Sequence, residues 1–190
     1  MKIKQKILQF LIENKEKSFS IYELAKSLKI DYKLIHMNVK KLENEKSIDV
    51  ENLKSQKRCS FKDSFNEDVF IVESERKKNM LKKKEFKAIY DRVNAATKQC
   101  ILLLFGSQIK GTATKTSDID LLLISSKGDA KAIEEKLEVL PLKIHLTPVS
   151  YESFIDMLKT KEQTVVSEAL KKNIILFGIE DYYRFIQNAK

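Results

Sequence analysis

Residues 101–121 read ILLLFGSQIKGTATKTSDIDL, and this stretch decides the fold of the chain's second half. The unbroken apolar run Ile101 to Phe105 predicts a strand buried on both faces. Gly106-Ser107 predicts a tight turn, and the polar residues from Gln108 to Ser117 a loop. Asp118-Ile119-Asp120 then opens a second apolar run that reaches Ile124. Alternate side chains of a strand share a face, so Asp118 and Asp120 point the same way. Two carboxylates so placed repel each other unless a cation lies between them, and at the mouth of an apolar strand Mg²⁺ (or Mn²⁺) suits their oxygens. Gly106 lets a backbone approach a phosphate with no Cβ in the way, and the Ser107 hydroxyl with nearby amides can donate to phosphate oxygens. Together these residues describe a site for a metal and a nucleoside triphosphate.

Outward from this stretch, strand and helix patterns alternate. Leu142 to Val149 predicts a third strand, with a helix from Ala130 to Val139 before it and another from Ser150 through Leu158 after it. Val165 to Lys171 predicts a helix, Ile174 to Phe177 a short strand, and Glu180 to Gln187 a closing helix. On the N-terminal side, Ser74 is positioned to cap a long basic helix over residues 74–97, with Met80, Leu81, Phe86, Ile89, Tyr90 and Val93 as its apolar positions. The lysine run Lys82 to Lys84 in it reads as a solvated face. Asp63 to Asp68 is polar and acidic and reads as a linker, and Val69 to Val72 as a short strand of the preceding domain.

The first part of the chain has a different pattern. A helix is predicted from Lys2 to Asn14, with an apolar stripe at Ile3, Ile7, Leu8, Phe10 and Leu11. Ser20 with Glu23 three residues on forms a capping box for a short helix carrying Ile21, Leu24, Ala25 and Leu28. Asp31 caps a third helix, in which Ile35, Val39 and Leu42 face inward while Tyr32, Lys33, His36, Lys40 and Lys41 face out. Ile48 to Leu53 and Arg58 to Phe61 follow as a hairpin around Lys54-Ser55-Gln56-Lys57. The expected organisation is α+β, in two domains at residues 1–72 and 73–190, the second a small mixed sheet with flanking helices.

The chain has 190 residues and a formal net charge of +9. Residues 1–99 hold 24 Lys and Arg against 15 Asp and Glu, and residues 100–190 hold 12 against 12. The whole excess is therefore N-terminal, which predicts that a polyanion meets that half. The apolar stretch Ile7 to Ile12 is too short for a membrane span or a secretion signal, so no membrane partner and a cytoplasmic location are expected. Cys59 and Cys100 fit neither a disulfide framework nor a zinc site.

The segment IYELAKSLKIDYKLIHMNVKKLENEKSI, Ile21 to Ile48, resembles the winged helix-turn-helix family. The resemblance covers about the first 62 residues and implies contact with double-stranded DNA through Tyr32, Lys33, His36 and Lys40. Lys46 stands where relatives often carry a helix-ending glycine, which predicts a less sharp helix end.

The Gly-Ser turn followed by Asp-x-Asp is similar to the nucleotidyltransferase superfamily of DNA polymerase β, in its minimal branch, over about residues 85–178. That resemblance implies that Gly106 and Ser107 hold the triphosphate, ATP being the expected nucleotide, that Asp118 and Asp120 bind Mg²⁺ or Mn²⁺, and that Lys110 and Lys115 assist electrostatically. The implied reaction is in-line attack of a hydroxyl on the α-phosphorus with loss of pyrophosphate, the acceptor being a protein, a small molecule or a nucleic acid. Minimal members are often paired with a small helical toxin partner, and a homodimer is left open. The family commonly adds a third carboxylate on the next strand, where this chain has Leu142-Lys143-Ile144-His145-Leu146-Thr147. His145 is the positional occupant, either as a general base or as a half-buried strand histidine without a part in chemistry. Glu152, early in a helix, reads as a surface or capping residue. Two functions follow: a nucleotidyltransferase tethered to DNA, or a DNA-binding regulator or antitoxin-like protein whose core binds a nucleotide or a partner without turnover. An RNA-directed enzyme is weaker, since stacking aromatics for single strands are missing.

Overall fold

The structure, a computed structural model, describes residues 1–53, 56–97, 99–114, 116–159 and 164–189. The chain divides into two compact units, Met1–Val72 and Glu73–Lys190. The first contains α1 (Ile3–Glu13), β1 (Phe19–Ser20), α2 (Ile21–Leu28), α3 (Tyr32–Asn44), β2 (Ile48–Leu53) and β3 (Gln56–Phe61). Ser20 caps α2: its hydroxyl accepts from the Glu23 N–H at 3.1 Å while the Glu23 carboxylate accepts from the Ser20 N–H at 2.7 Å. Such a reciprocal cap is worth about 1 kcal/mol. Asp31 accepts from the Lys33 and Leu34 N–H groups and starts α3. Ile35, Val39 and Leu42 are buried together with Ile7, Leu8, Leu11 and Leu24, so three short helices share one core. β3 lies between β1 and β2 in an antiparallel sheet. Its first residue is Gln56, earlier than the expected Arg58, and Lys54 and Ser55 of the expected turn lie outside the described residues.

Lys46 corrects one expectation. It adopts φ 55°, the left-handed conformation a glycine would take there. The Ser47 N–H reaches back to the Leu42 carbonyl at 2.9 Å and the Lys46 N–H to the Glu43 carbonyl at 3.0 Å. α3 thus ends sharply without a glycine, at a steric cost of about 1–2 kcal/mol.

The segment after β3 corrects four more. Val69 to Val72 is not a strand but part of α4 (Glu67–Met80), which Asn66 starts by accepting from the Val69 N–H at 3.0 Å. Val69 and Val72 are buried three positions apart while Ile71 is exposed, a helical pattern rather than an alternating one. The expected linker at 63–68 therefore gives way to helix at Glu67, whose carboxylate with that of Asp68 suits a helix N-terminus. Ser74 caps nothing, since it lies inside α4. The single leading helix over 74–97 is two helices, α4 and α5 (Lys84–Ala96), parted at Leu81–Lys83. The boundary between the units falls within α4.

Within the second unit, fully buried Glu73 of α4 accepts from Arg76 Nη1 at 2.5 Å and from the Tyr183 hydroxyl at 2.7 Å, and Arg76 Nη2 donates to the Asn173 carbonyl at 2.8 Å. Charges this deep are tolerated only when paired in this way. The remaining elements are β4 (Ile101–Phe105), α6 (Ser107–Lys110), β5 (Ile119–Ile124), α7 (Lys127–Glu138), β6 (Ile144–Val149), α8 (Tyr151–Lys159), α9 (Val165–Lys171), β7 (Ile174–Phe177) and α10 (Ile179–Asn188). The sheet order is β6-β5-β4-β7. β5 and β6 run parallel, joined through α7, and the other pairs are antiparallel. Leu102, Leu104, Leu121 and Leu123 form one face with Phe86, Ile89 and Val93 of α5 and Ile133 and Leu137 of α7. The alternate residues, among them Leu103 and Leu122, take the opposite face, where α9 and α10 contact β4. α7 begins ahead of the expected Ala130 because the Ser126 hydroxyl caps it, accepting from the Asp129 N–H at 3.1 Å. The fold is the expected α+β architecture with a small mixed sheet flanked by helices. Among the described residues no helix is long and apolar enough to cross a membrane.

Two outcomes follow. Lys46→Gly should raise the free energy of unfolding in denaturant by about 1 kcal/mol, because glycine removes the left-handed penalty; a loss of stability would mean the lysine conformation is supported elsewhere. Burial pushes the free thiols of Cys59 and Cys100 up to about 11. A native thiol then keeps its proton where the unfolded thiol, near 9, loses it. Stability should therefore decline as pH rises above about 9, and neither thiol should react with an alkylating reagent at neutral pH until the chain is unfolded.

Candidate functional site

At the end of β4 the backbone must turn within van der Waals reach of β5. Gly106 makes that turn with φ 73° and ψ −149°. A Cβ built on Gly106 would lie 2.1 Å from Oδ2 of Asp120 and 3.0 Å from its carboxyl carbon, so a carboxylate fills the space where a side chain would begin. The glycine is required by Asp120 itself, a closer constraint than the phosphate approach that the sequence suggests. The register agrees, since Phe105 stands opposite Asp120 across the β4–β5 pair.

Ser107 opens the single turn of α6, which closes on Gly111 at φ 78°. Within α6 the Ile109 and Lys110 N–H groups both donate to the Gly106 carbonyl, at 3.2 and 3.1 Å, so the backbone donors this corner presents beside the Ser107 hydroxyl are those of Ser107 and Gln108. The loop that follows is held by the Thr114 N–H, which donates to Ser117 Oγ at 2.9 Å, and by the two hydroxyls, 3.1 Å apart. The Ile119 N–H donates to the Lys143 carbonyl at 2.8 Å and fixes the start of β5 against β6. Asp118 precedes β5 and is exposed. Asp120 lies on β5 with its side chain 27% exposed.

β6 brings His145 opposite Asp120 in parallel register. His145 Nδ1 lies 3.5 Å from Asp120 Oδ1, a contact rather than a well-formed hydrogen bond, and its side chain is 65% exposed. Lys110 is committed elsewhere: its ammonium pairs with Glu168 of α9 at 2.5 Å. The hydrogen bond from Lys110, and then its charge, hold the Glu168 carboxyl below the usual carboxylate range. Sequence spacing could not reveal this partner, because Glu168 lies 58 positions away on a helix of its own. Lys115 lies outside the described residues. Glu152 is exposed in the first turn of α8.

The residues of the proposed DNA face lie in the first unit. Tyr32 and His36 stack at 6.3 Å between ring centroids on the outer side of α3, and Lys33 and Lys40 are exposed. His36 and Lys40 also line a hollow of about 120 Å³ with Val39 and Glu43 of α3, Val50 of β2 and Lys57 of β3, so helix and hairpin share one surface of mixed polar and apolar character.

As a metal centre the second unit offers little by itself. Among the described residues no group of three or more His, Cys, Asp or Glu side chains is arranged to hold an ion. The chemistry of the donors that are present fits Mg²⁺ in one circumstance: this ion often takes only one or two protein carboxylates and completes its shell with phosphate oxygens and water. Asp118 and Asp120 fit such a shared ion, and the His145 nitrogen is a poor substitute for a third oxygen.

Compared with known proteins, residues 101–177, from the first residue of β4 to the last of β7, match the family model described as "Nucleotidyltransferase domain". No curated protein and no solved structure matches the chain.

Gly106→Ala should cost more than about 2 kcal/mol in denaturant unfolding, through both positive φ and collision with Asp120. Adding Asp120→Ala should return the collision share and leave the φ share. If Gly106→Ala is as stable as the parent chain, the close approach does not exist.

Proposed function

Given a nucleotidyltransferase-like domain over residues 101–177, we propose that the chain is a DNA-binding protein whose core binds a nucleoside triphosphate, ATP being the first to test, without turning it over. The observation that carries this reading is the β5–β6 register, which puts His145 opposite Asp120 at the place where the family resemblance implies a third carboxylate. Gly106, Ser107 and the α6 turn would receive phosphate oxygens. Asp118 and Asp120 would hold Mg²⁺ or Mn²⁺ brought with the nucleotide, and the ion when bound would screen the charge between carboxylates and phosphates. Lys110 contributes less than its sequence position suggests, since Glu168 offsets its charge.

The DNA-binding part rests on the winged-helix resemblance, the exposed Tyr32, Lys33, His36 and Lys40 on α3, and the N-terminal charge excess. It belongs in the cytoplasm, and a small helical toxin-like protein is a partner worth testing against the same core. A second reading keeps the chain as a transferase to a hydroxyl acceptor. The contact between His145 Nδ1 and Asp120 favours it, because a carboxylate that orients an imidazole is how a histidine base is held.

Calorimetry of the full chain with ATP and Mg²⁺ should show binding that Asp118→Ala and Asp120→Ala each abolish. The same protein, given duplex DNA, hydroxyl compounds or candidate protein acceptors, should release no pyrophosphate. Release that disappears in Asp118→Ala would establish the transferase instead. In a separate titration with duplex DNA, Lys33→Ala together with Lys40→Ala should weaken binding and flatten the salt dependence by about 2 in log–log slope; an unchanged titration would remove α3 from the DNA face.

A further inference from the structure

The densest positive charge lies outside the winged-helix unit. Between residues 77 and 87 there are six lysines, Lys77, Lys78, Lys82, Lys83, Lys84 and Lys87, against one carboxylate, Glu85. They gather where α4 ends and α5 begins. All but Lys77 are exposed.

Helix electrostatics explains only some of them. Lys77 and Lys78 occupy the last turn of α4, where cations are favoured. Lys83 and Lys84 occupy the N-cap and first position of α5, where cations are disfavoured, and the Lys83 side chain makes no capping hydrogen bond. Lys83 and Lys87 are also a like-charge pair four residues apart on one helix face. Internal partners do not offset this. Lys87 pairs with Asp91, Lys82 donates to the neutral Asn79 oxygen at 2.7 Å, and Lys83 lies 5.5 Å from the Phe86 ring centroid. Among the described residues Lys78, Lys83 and Lys84 have no carboxylate partner. Lys82 to Lys84 are exposed, as the sequence reading of a solvated face expects, and the placing of cations against the α5 dipole is a further feature of that face.

We propose that the α4–α5 elbow is a second nucleic-acid contact, binding the sugar-phosphate backbone of duplex DNA without reading its sequence. The proposal rests on the DNA-binding reading for the class of partner and extends it into the second unit. Lysines act as point charges that match any phosphate, and they carry no base specificity by themselves. A protein partner would need an apolar centre to its interface. The elbow has none: no large hydrophobic side chain between residues 77 and 87 is exposed, Met80 and Leu81 being partly covered. The same lack of an exposed apolar wedge disfavours a membrane surface.

The test uses the full chain with Lys78, Lys82 and Lys84 all changed to glutamine, which leaves Lys83 on its ring. Affinity for a random-sequence duplex is measured over a range of salt concentrations. The log–log slope should fall by about 3 relative to the parent chain, equally for every duplex sequence, since each phosphate contact contributes close to one unit. The thermal unfolding midpoint should stay level or rise, because the substitutions remove repulsion. An unchanged slope overturns the proposal, and so does a lowered midpoint, which would give these lysines an internal role. Loss of binding to polyglutamate or to phosphatidylserine vesicles, with duplex binding intact, also overturns it in favour of an acidic protein or a lipid surface. The α3 variant Lys33→Ala with Lys40→Ala separates the two readings. If it alone weakens DNA binding, only the elbow fails; if the glutamine variant alone does, only the α3 face fails.

Discussion

The close approach of Asp120 to the Gly106 backbone is the constraint on which the second unit's site depends. A strand carrying a carboxylate can come this near to a neighbouring turn only if that turn has no Cβ. The same glycine supplies the positive φ that reverses the chain out of β4 and into α6. Register, turn and carboxylate position are thereby one arrangement. Moving the β4–β5 pairing by one residue would send Asp120 to the other face of the sheet and place a leucine or isoleucine where the carboxylate now lies. The apolar runs on either side, Ile101 to Phe105 and Leu121 to Ile124, are buried on both faces and would exchange apolar for apolar in such a slip, so the register is marked by Asp120, which alone would lose its place beside Gly106.

Much of this was readable from residue order. The strand limits Ile101–Phe105, Ile119–Ile124 and Ile174–Phe177 follow directly from apolar runs bounded by Gly, Asp and Asn. Ser20 with Glu23, and Asp31, mark helix starts because capping is a local interaction between residues two or three apart. Errors gather where a local signal is ambiguous. Val69 to Val72 has strand composition, and only the Asn66 cap and the burial of Val69 and Val72 make it helical. The break between α4 and α5 falls at Leu81–Lys83 with neither Gly nor Pro to mark it, so composition predicted one continuous helix. Lys46 shows the reverse: the left-handed residue that ends α3 is imposed by the fold and not by the side chain.

The site was legible in part for the same reason. Gly106, Ser107, Asp118 and Asp120 are near in sequence, but the expectation that both acids share a strand face does not hold, since Asp120 lies on β5 while Asp118 precedes it. The pairing of His145 with Asp120 needed only the correct β5–β6 register. Glu168 was beyond reach, since nothing local ties α9 to Lys110. The buried Glu73–Arg76 pair was equally invisible, because it depends on Tyr183 and Asn173 from the far end of the chain.

The donor set has a consequence for how the core would work. With three carboxylates, a site can gather a divalent cation before its nucleotide arrives. With Asp118, Asp120 and an imidazole, the remaining oxygens would have to come from phosphates and water, so under the proposed function cation and nucleotide would bind as a linked pair, each raising the affinity for the other. A core of this kind would respond to the metal–nucleotide complex rather than to either component alone. Turnover asks for more: an acceptor hydroxyl must reach a base, and the 3.5 Å contact leaves His145 only loosely oriented by Asp120. Holding a nucleotide asks nothing of His145 beyond not obstructing it. Where an imidazole stands opposite Asp120 and is weakly held as a base, the proposed function asks only the simpler of the two requirements.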